Sequence, residues 1–236
     1  MKVSVLLFPG SNCDHDVAYT YSSLLKCQVE IVWHRSEDLK KPDLVLVPGG
    51  FSYGDYLRSG AMAKLSPVMK SVCEFAERGG PVLGICNGFQ ILCEAGLLPG
   101  ALLSNIGTRF LSRFVTIRAD KSICRLSVGM QVGDRIHCPI AHFDGNYFAE
   151  PEDLERIEGE GQVVFRYCNA SGEVLEGDRE SNPNGSLNAI AGVCNAAGNV
   201  LGMMPHPERS VEELVGGPGA ASGLKLLAGI DQLQAA

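Results

Sequence analysis

Short apolar runs alternate with stretches of helical periodicity through the first hundred residues. Val3 to Phe8, Gln28 to Trp33, Leu44 to Val47 and Pro81 to Ile85 are unbroken or nearly so, as expected of strands covered on both faces. Between the third and fourth runs, Ser66 can cap a helix that has Pro67 at its first position. Val68, Val72, Phe75 and Ala76 supply its apolar stripe and Gly79 its stop. This rhythm predicts an α/β fold with a mostly parallel open sheet and helices on both faces.

The pattern changes in the second half. Phe114 to Ala119, Ser127 to Val132, Val163 to Tyr167, Ala189 to Val193 and Val200 to Met204 read as shorter strands, with Ala196-Ala197-Gly198-Asn199 as a hairpin connection. Glu152 to Glu158 is a short acidic helix, and Ser222 to Leu233 places Leu224, Leu227, Ala228 and Leu233 at near-helical spacing. No repeat or long linker divides the chain, so residues 1–236 are expected to form one domain, parallel first and with an antiparallel C-terminal extension.

Composition narrows the function classes. With 236 residues, 45% hydrophobic and 20% charged, the chain has ample length for a core and is neither disordered nor a disulfide miniprotein. The net charge of −7 argues against non-specific nucleic-acid binding, which needs Lys and Arg to displace counterions from phosphates. No stretch approaches the roughly 18 apolar residues of a membrane span, and the run after Lys2 is too short for a signal peptide. Nine cysteines without CxxC spacing read as reduced thiols in a cytoplasmic protein rather than as disulfides or a structural zinc site. Each is core filler until something distinguishes it.

Cys86 is so distinguished. The fourth strand runs into Gly84-Ile85-Cys86-Asn87-Gly88, and the helical pattern Phe89 to Ala95 follows, stopped by Gly96. This is a G-x-C-x-G elbow between strand and helix, the thiol counterpart of the serine elbow. Flanking glycines relieve collisions in a strained turn, and the helix start favours thiolate. Of the five histidines, His206 lies in Met204-Pro205-His206-Pro207-Glu208, which the prolines hold extended. Residues two apart in an extended chain project to one side, about 6.6 Å apart along the backbone, so Glu208 can orient the His206 ring. Pro48-Gly49-Gly50 ends the third strand, and the N–H groups of Gly50 and Asn87 are the candidate oxyanion hole.

Other segments keep bland readings. Cys13 is the best competitor to Cys86 but lacks the elbow. Cys13-Asp14-His15-Asp16 reads as a loop whose Asx groups cap the first helix rather than as a metal site, and Asn182-Pro183-Asn184-Gly185-Ser186 reads as turn chemistry.

Together the elbow with Gln90 four residues after its cysteine, the Pro48-Gly49-Gly50 loop and the His206-x-Glu208 pair resemble the class I glutamine amidotransferases, in that family's order. FPGSNCD (Phe8 to Asp14), GGFSYGDYLRSGA (Gly49 to Ala61), GICNGFQIL (Gly84 to Leu92), NPNGS and GMMPHPER (Gly202 to Arg209) narrow the resemblance to glutaminase subunits that serve purine biosynthesis. One segment departs: Pro139 to Tyr147 reads PIAHFDGNY where the commoner pattern has histidine followed by Gly-Glu-Gly-Arg-Tyr.

The resemblance implies a flavodoxin-like amidotransferase fold, with Cys86 as nucleophile, His206 and Glu208 completing the triad, and Gln90 contacting bound glutamine. It implies no metal or organic cofactor in this chain. Ammonia would pass to a large synthetase subunit that uses ATP and Mg to amidate formylglycinamide ribonucleotide, with a small third subunit in the complex. The absence of a G-x-x-x-x-G-K-[ST] loop agrees with ATP chemistry residing elsewhere. Two other readings of the residues stand beside it: a stand-alone cysteine hydrolase or peptidase-like enzyme, and a non-catalytic binding module with Cys86 as core filler.

Overall fold

The computed structural model describes residues 1–175, 177–216 and 222–231. Its chain order is β1 (Lys2–Leu7), α1 (Asp14–Tyr19), β2 (Gln28–Trp33), β3 (Leu44–Val47), α2 (Pro67–Glu77), β4 (Val82–Ile85) and α3 (Asn87–Glu94), then β5 (Ala101–Ser104), β6 (Leu111–Ala119), β7 (Arg135–His142), β8 (Asp144–Phe148) and α4 (Pro151–Gly159). It ends with β9 (Val163–Cys168), β10 (Ile190–Cys194), β11 (Val200–Met203), α5 (Glu213–Gly216) and α6 (Ser222–Asp231). Leu233, placed by its spacing at the end of the last helix, lies outside the described residues.

Nine strands form one sheet in the order β2-β1-β3-β4-β11-β10-β9-β6-β7. The first four pair in parallel, β11 joins β4 in parallel, and β10, β9, β6 and β7 continue antiparallel. β3 and β4 are buried at every position, the continuous apolar character expected of strands with both faces covered. The switch from parallel to antiparallel therefore falls beside the strand that carries the elbow. The expected hairpin joins β10 to β11, with Val193 opposite Gly202.

Three expectations need correction, and three strands went unanticipated. Ser127 to Val132 is not a strand: it follows a single 3-10 turn (Arg125–Ser127), leaves Val128 and Val132 exposed, and buries only the adjacent Leu126. Sequence reasoning missed β5, β7 and β8. Ser66 and Pro67 do begin α2, but the Ser66 hydroxyl makes no capping bond, being held by His34 Nδ1 at 3.3 Å and the Tyr53 hydroxyl at 2.9 Å. No Asx side chain caps α1 either, since Cys13 occupies its N-cap position and Asn12 Oδ1 accepts from the Cys13 thiol.

Candidate active site

The carboxyl ends of β1, β3, β4 and β11 converge, where open α/β sheets bind ligands. Parallel pairing of Gly202 with Gly84 and Met203 with Ile85 brings the end of β11 beside the elbow, and the Cys86 N–H donates to the Met203 carbonyl at 2.8 Å. Three residues past Met203, His206 emerges next to Cys86, although 120 positions separate the two in sequence.

Cys86 has φ 52° and ψ −106°, a conformation that L-residues rarely adopt and that turns its side chain out of the strand. Its neighbours must be small. A Cβ on Gly84 would stand 2.5 Å from Leu92 Cδ1, and one on Gly88 1.8 Å from the Val47 carbonyl oxygen. Cys86 is nearly buried, and its Sγ lies 3.7 Å from the Ala141 carbonyl.

His206 and Glu208 are joined by a 2.6 Å contact from Nδ1 to Oε1, and both side chains are buried. Burial alone would hold the imidazole neutral. The negative charge of Glu208, together with the thiols of Cys86 and Cys13, outweighs it, so the His206 pKa lies well above the ordinary histidine value. The pair therefore stabilises the fold below the unfolded histidine pKa of about 6.5, and that contribution is lost as pH rises through the higher folded value.

Glu208→Gln reverses the balance, leaving burial dominant. We expect the His206 pKa, read from imidazole NMR shifts, to fall below about 6.5. An unchanged His206 titration would refute the orienting role of Glu208.

Gly50 lies opposite Ser11 in an isolated antiparallel bridge, with Phe51 N donating to Gly10 O and Asn12 N to Gly49 O. In such a pair the central residue's own N–H points away from its partner. The Asn87 N–H, at the first position of α3, has no intrahelical acceptor. Cys86, His206 and Gly50 line one cavity of about 170 Å³, together with Asn12, Cys13, Phe51, Phe110, Ala141 and Arg209.

Gln90 is not in that lining. It is buried behind the elbow, its Oε1 accepting from Asn87 Nδ2 at 2.9 Å and its Nε2 donating to the Asp144 carbonyl at 2.5 Å. Asn87 has a role that sequence reasoning missed: its Oδ1 accepts from Ser52 N, fastening the elbow to the glycine-rich loop.

The departing segment thus supports Gln90 through Asp144, whose carboxylate is held by Ser59 and Ser104. Within the segment, His142 is pushed down to about 3 by burial and then by the charge on His206, and its Nδ1 meets Asn105 Oδ1 at 3.0 Å. The NPNGS segment is fastening: Asn184 Nδ2 donates to Gly145 O and Tyr147 N donates to the Ser186 hydroxyl, which pins β8.

Sequence reasoning also missed Arg209, which donates from Nε to Asp16 Oδ2 at 3.0 Å and lies 3.2 Å from Cys13 Sγ through Nη2. That contact spans 196 positions, and nothing in the local pattern signals it.

Residues 1–217 match the family described as CobB/CobQ-like glutamine amidotransferase domain. The phosphoribosylformylglycinamidine synthase subunit PurQ of Chlorobaculum tepidum is 52% identical over 216 residues, 92% of this chain and 91% of that one. Its counterpart in Aquifex aeolicus is 50% identical over 92% of this chain and 94% of its own length. Among solved structures, a chain of PurLQS from Thermotoga maritima superposes with a TM-score of 0.83 at 38% identity, over 99% of this chain and 98% of that one. A glutamine amidotransferase from the same organism, at 13% identity and a TM-score of 0.54, covering 100% of this chain and 92% of its own, shares the fold. With a family match that takes in the elbow and the His-Glu pair alike, the chain belongs to the CobB/CobQ-like glutamine amidotransferases.

Proposed function

We propose that this chain is the glutaminase subunit of a phosphoribosylformylglycinamidine synthase and that Cys86, His206 and Glu208 are its catalytic triad. The observation that carries the reading is the strained Cys86 elbow sharing a cavity with a buried imidazole already held by a carboxylate. Cys86 passes its proton to His206 and its sulfur attacks the carboxamide carbon of glutamine, while the N–H groups of Gly50 and Asn87 receive the oxyanion. His206 then protonates departing ammonia. In the second half-reaction it takes a proton from water, hydroxide attacks the γ-glutamyl thioester, and glutamate leaves as the thiol is restored. Gln90 acts on bound glutamine only if its present hydrogen bonds yield.

Ammonia passes to a synthetase subunit, which uses ATP and Mg to amidate formylglycinamide ribonucleotide, and a small third subunit completes the assembly. Nine free thiols agree with a cytoplasmic setting. Among the described residues no helix is long and apolar enough to cross a membrane.

The loop that follows Gly50 fits control by the partner. Tyr53, Asp55 and Leu57 adopt positive φ, and Tyr56 and Leu57 are 75% and 87% exposed, so strained backbone carries apolar groups outward. Burial and then the charge of Asp144 push Asp55, within this loop, up to about 6. A synthetase seated on it would relax the loop and set Gly50.

Combining the chain with its synthetase and small subunit should give glutamine-dependent amidation of formylglycinamide ribonucleotide. Glutamine turnover by the chain alone should be much slower than in the complex. Equal turnover with and without partners, or strong activity on peptides, would favour a stand-alone hydrolase instead.

A further inference from the structure

The Gly50 N–H is offered by a loop, and a loop holds a donor only as firmly as it is itself held. Beyond Gly50 three successive N–H groups are fastened: Phe51 to Gly10 O at 2.8 Å, Ser52 to Asn87 Oδ1 at 3.1 Å and Tyr53 to Pro9 O at 2.7 Å. Tyr53 ends this stretch at φ 54° and ψ 26°, a left-handed conformation that a bulky residue keeps only where its surroundings impose it. Its side chain shows what imposes it. The hydroxyl lies 2.8 Å from His34 Nδ1 and 2.9 Å from Ser66 Oγ, and the ring meets that of His34 edge-on, with centroids 5.5 Å apart.

Both partners are themselves fixed. His34 is buried and tied through its backbone, its N–H donating to Leu7 O at 2.9 Å and its carbonyl accepting from Val68 N at 3.1 Å. Burial, and then the charge of Arg35, hold its pKa below the ordinary histidine value, so the ring is neutral at pH 7. Ser66, also buried, stands at the start of α2. The three side chains thus join the loop to the residue after β2 and to α2. We propose that Tyr53 is a positioning residue for glutamine hydrolysis: pinned by His34 and Ser66, it keeps Ser52 N on Asn87 Oδ1 and so sets the spacing of the Gly50 and Asn87 N–H groups that receive the oxyanion. The inference rests on the function proposed above and adds to it residues that touch no substrate. Without the hydroxyl, residue 53 leaves its strained φ, Ser52 is drawn off Asn87, and the loop shifts back to Gly50. Cys86 and His206 keep their places, because they hang on the paired strands β4 and β11.

The test compares wild type with Tyr53→Phe in the complete complex, assayed with glutamine and with ammonium salts. Tyr53→Phe should lower kcat with glutamine by about 10–100-fold, leaving KM and ammonium-dependent activity unchanged. Two reagents separate the oxyanion donors from the triad. The γ-semialdehyde of glutamate takes the Cys86 sulfur at its carbonyl carbon and the thiol proton at its oxygen, and the tetrahedral adduct needs those donors. Iodoacetamide loses iodide to the Cys86 thiolate and needs none. Tyr53→Phe should weaken aldehyde binding by a factor close to its loss in kcat and leave alkylation of Cys86, read by peptide mass spectrometry, at the wild-type rate. His34→Leu should reproduce Tyr53→Phe, and His34→Asn, whose amide stands where Nδ1 stood, should restore most of the turnover. The double variant Tyr53→Phe with His34→Leu should lose no more than either alone. Wild-type kcat in Tyr53→Phe, or aldehyde binding and alkylation weakened alike, overturns the proposal while leaving the glutaminase reading intact. A wild-type complex that does not turn over glutamine refutes that reading and this inference with it.

Discussion

Cys86→Ala should abolish glutamine-dependent amidation, lowering it by about 10⁴-fold or more, while the complex still uses added ammonium salts at the wild-type rate. The size of the loss follows from the chemistry. Without sulfur there is no thioester, and His206 is left facing water that must attack an unactivated amide directly. What survives is the contribution of the oxyanion donors and of binding. The substitution is structurally mild, because the elbow's φ of 52° is as unusual for alanine as for cysteine and the smaller side chain collides with nothing. The ammonium arm separates lost chemistry from lost assembly, since ammonia enters beyond the glutaminase step. Rates with glutamine and with ammonium, measured on the same preparation, decide the matter. Retained glutamine-dependent turnover would remove Cys86 from the mechanism and leave Cys13 as the thiol to examine.

How far this site could be read in advance depended on whether its parts are local. The elbow is local: Gly84, Cys86 and Gly88 fall within five residues, and each glycine answers to a collision that the structure displays. The His206-Glu208 pair is local as well, but not through the extended chain expected of it: Pro207 opens a 3-10 turn over Pro207–Arg209 directly after His206, and that turn, not an extended strand, brings the Glu208 carboxylate to the ring. Cys13 and Arg209 come together only through the convergence of β1 and β11 ends, a tertiary fact with no signature in spacing. Gln90 is placed by family likeness; its bond to the Asp144 carbonyl, 54 positions away, is a tertiary fact of the same kind, whereas its bond to Asn87, three residues back on α3, is local.

The missed strands have physical causes. β7 alternates, burying Ile136, Cys138, Ile140 and His142, but Pro139 interrupts it, and a proline is tolerated there because β7 is an edge strand. β8 reads Asp-Gly-Asn-Tyr-Phe, turn-like residues that become a strand by pairing with β5. Ser127 to Val132 was misread because apolar Val128, Met130 and Val132 alternate as in a strand, whereas the turn folds back so that Gly129 touches Gly229 of α6. Alternation alone does not distinguish a strand from a turn whose apolar groups face solvent.

The contact between Gly88 and Val47 carries the other large effect. Gly88→Ala places a methyl carbon 1.8 Å from the Val47 carbonyl oxygen, a backbone atom that no rotamer change can move. α3 must slide from β3 by more than an ångström. The Val47 carbonyl precedes Pro48-Gly49-Gly50, and Gly88 follows Asn87, so the same displacement separates the two proposed oxyanion donors and shifts Cys86 from His206. Overpacking of this kind costs about 1–3 kcal/mol, or about 2–12 °C in Tm for a chain of this size. Turnover is more sensitive than stability, because a misplacement of about 1 Å costs about 10²-fold. The variant should therefore melt lower yet remain folded at 25 °C, with glutamine turnover down by about 10²-fold and ammonium-dependent activity kept wherever the complex still assembles. Gly159→Ala is the matched control: it lies at the end of α4 with open space around its Cβ position, and it should leave turnover unchanged. Calorimetry and glutamine assays on both variants test the idea that one backbone contact sets the geometry of the site. Wild-type melting and turnover in Gly88→Ala would refute it.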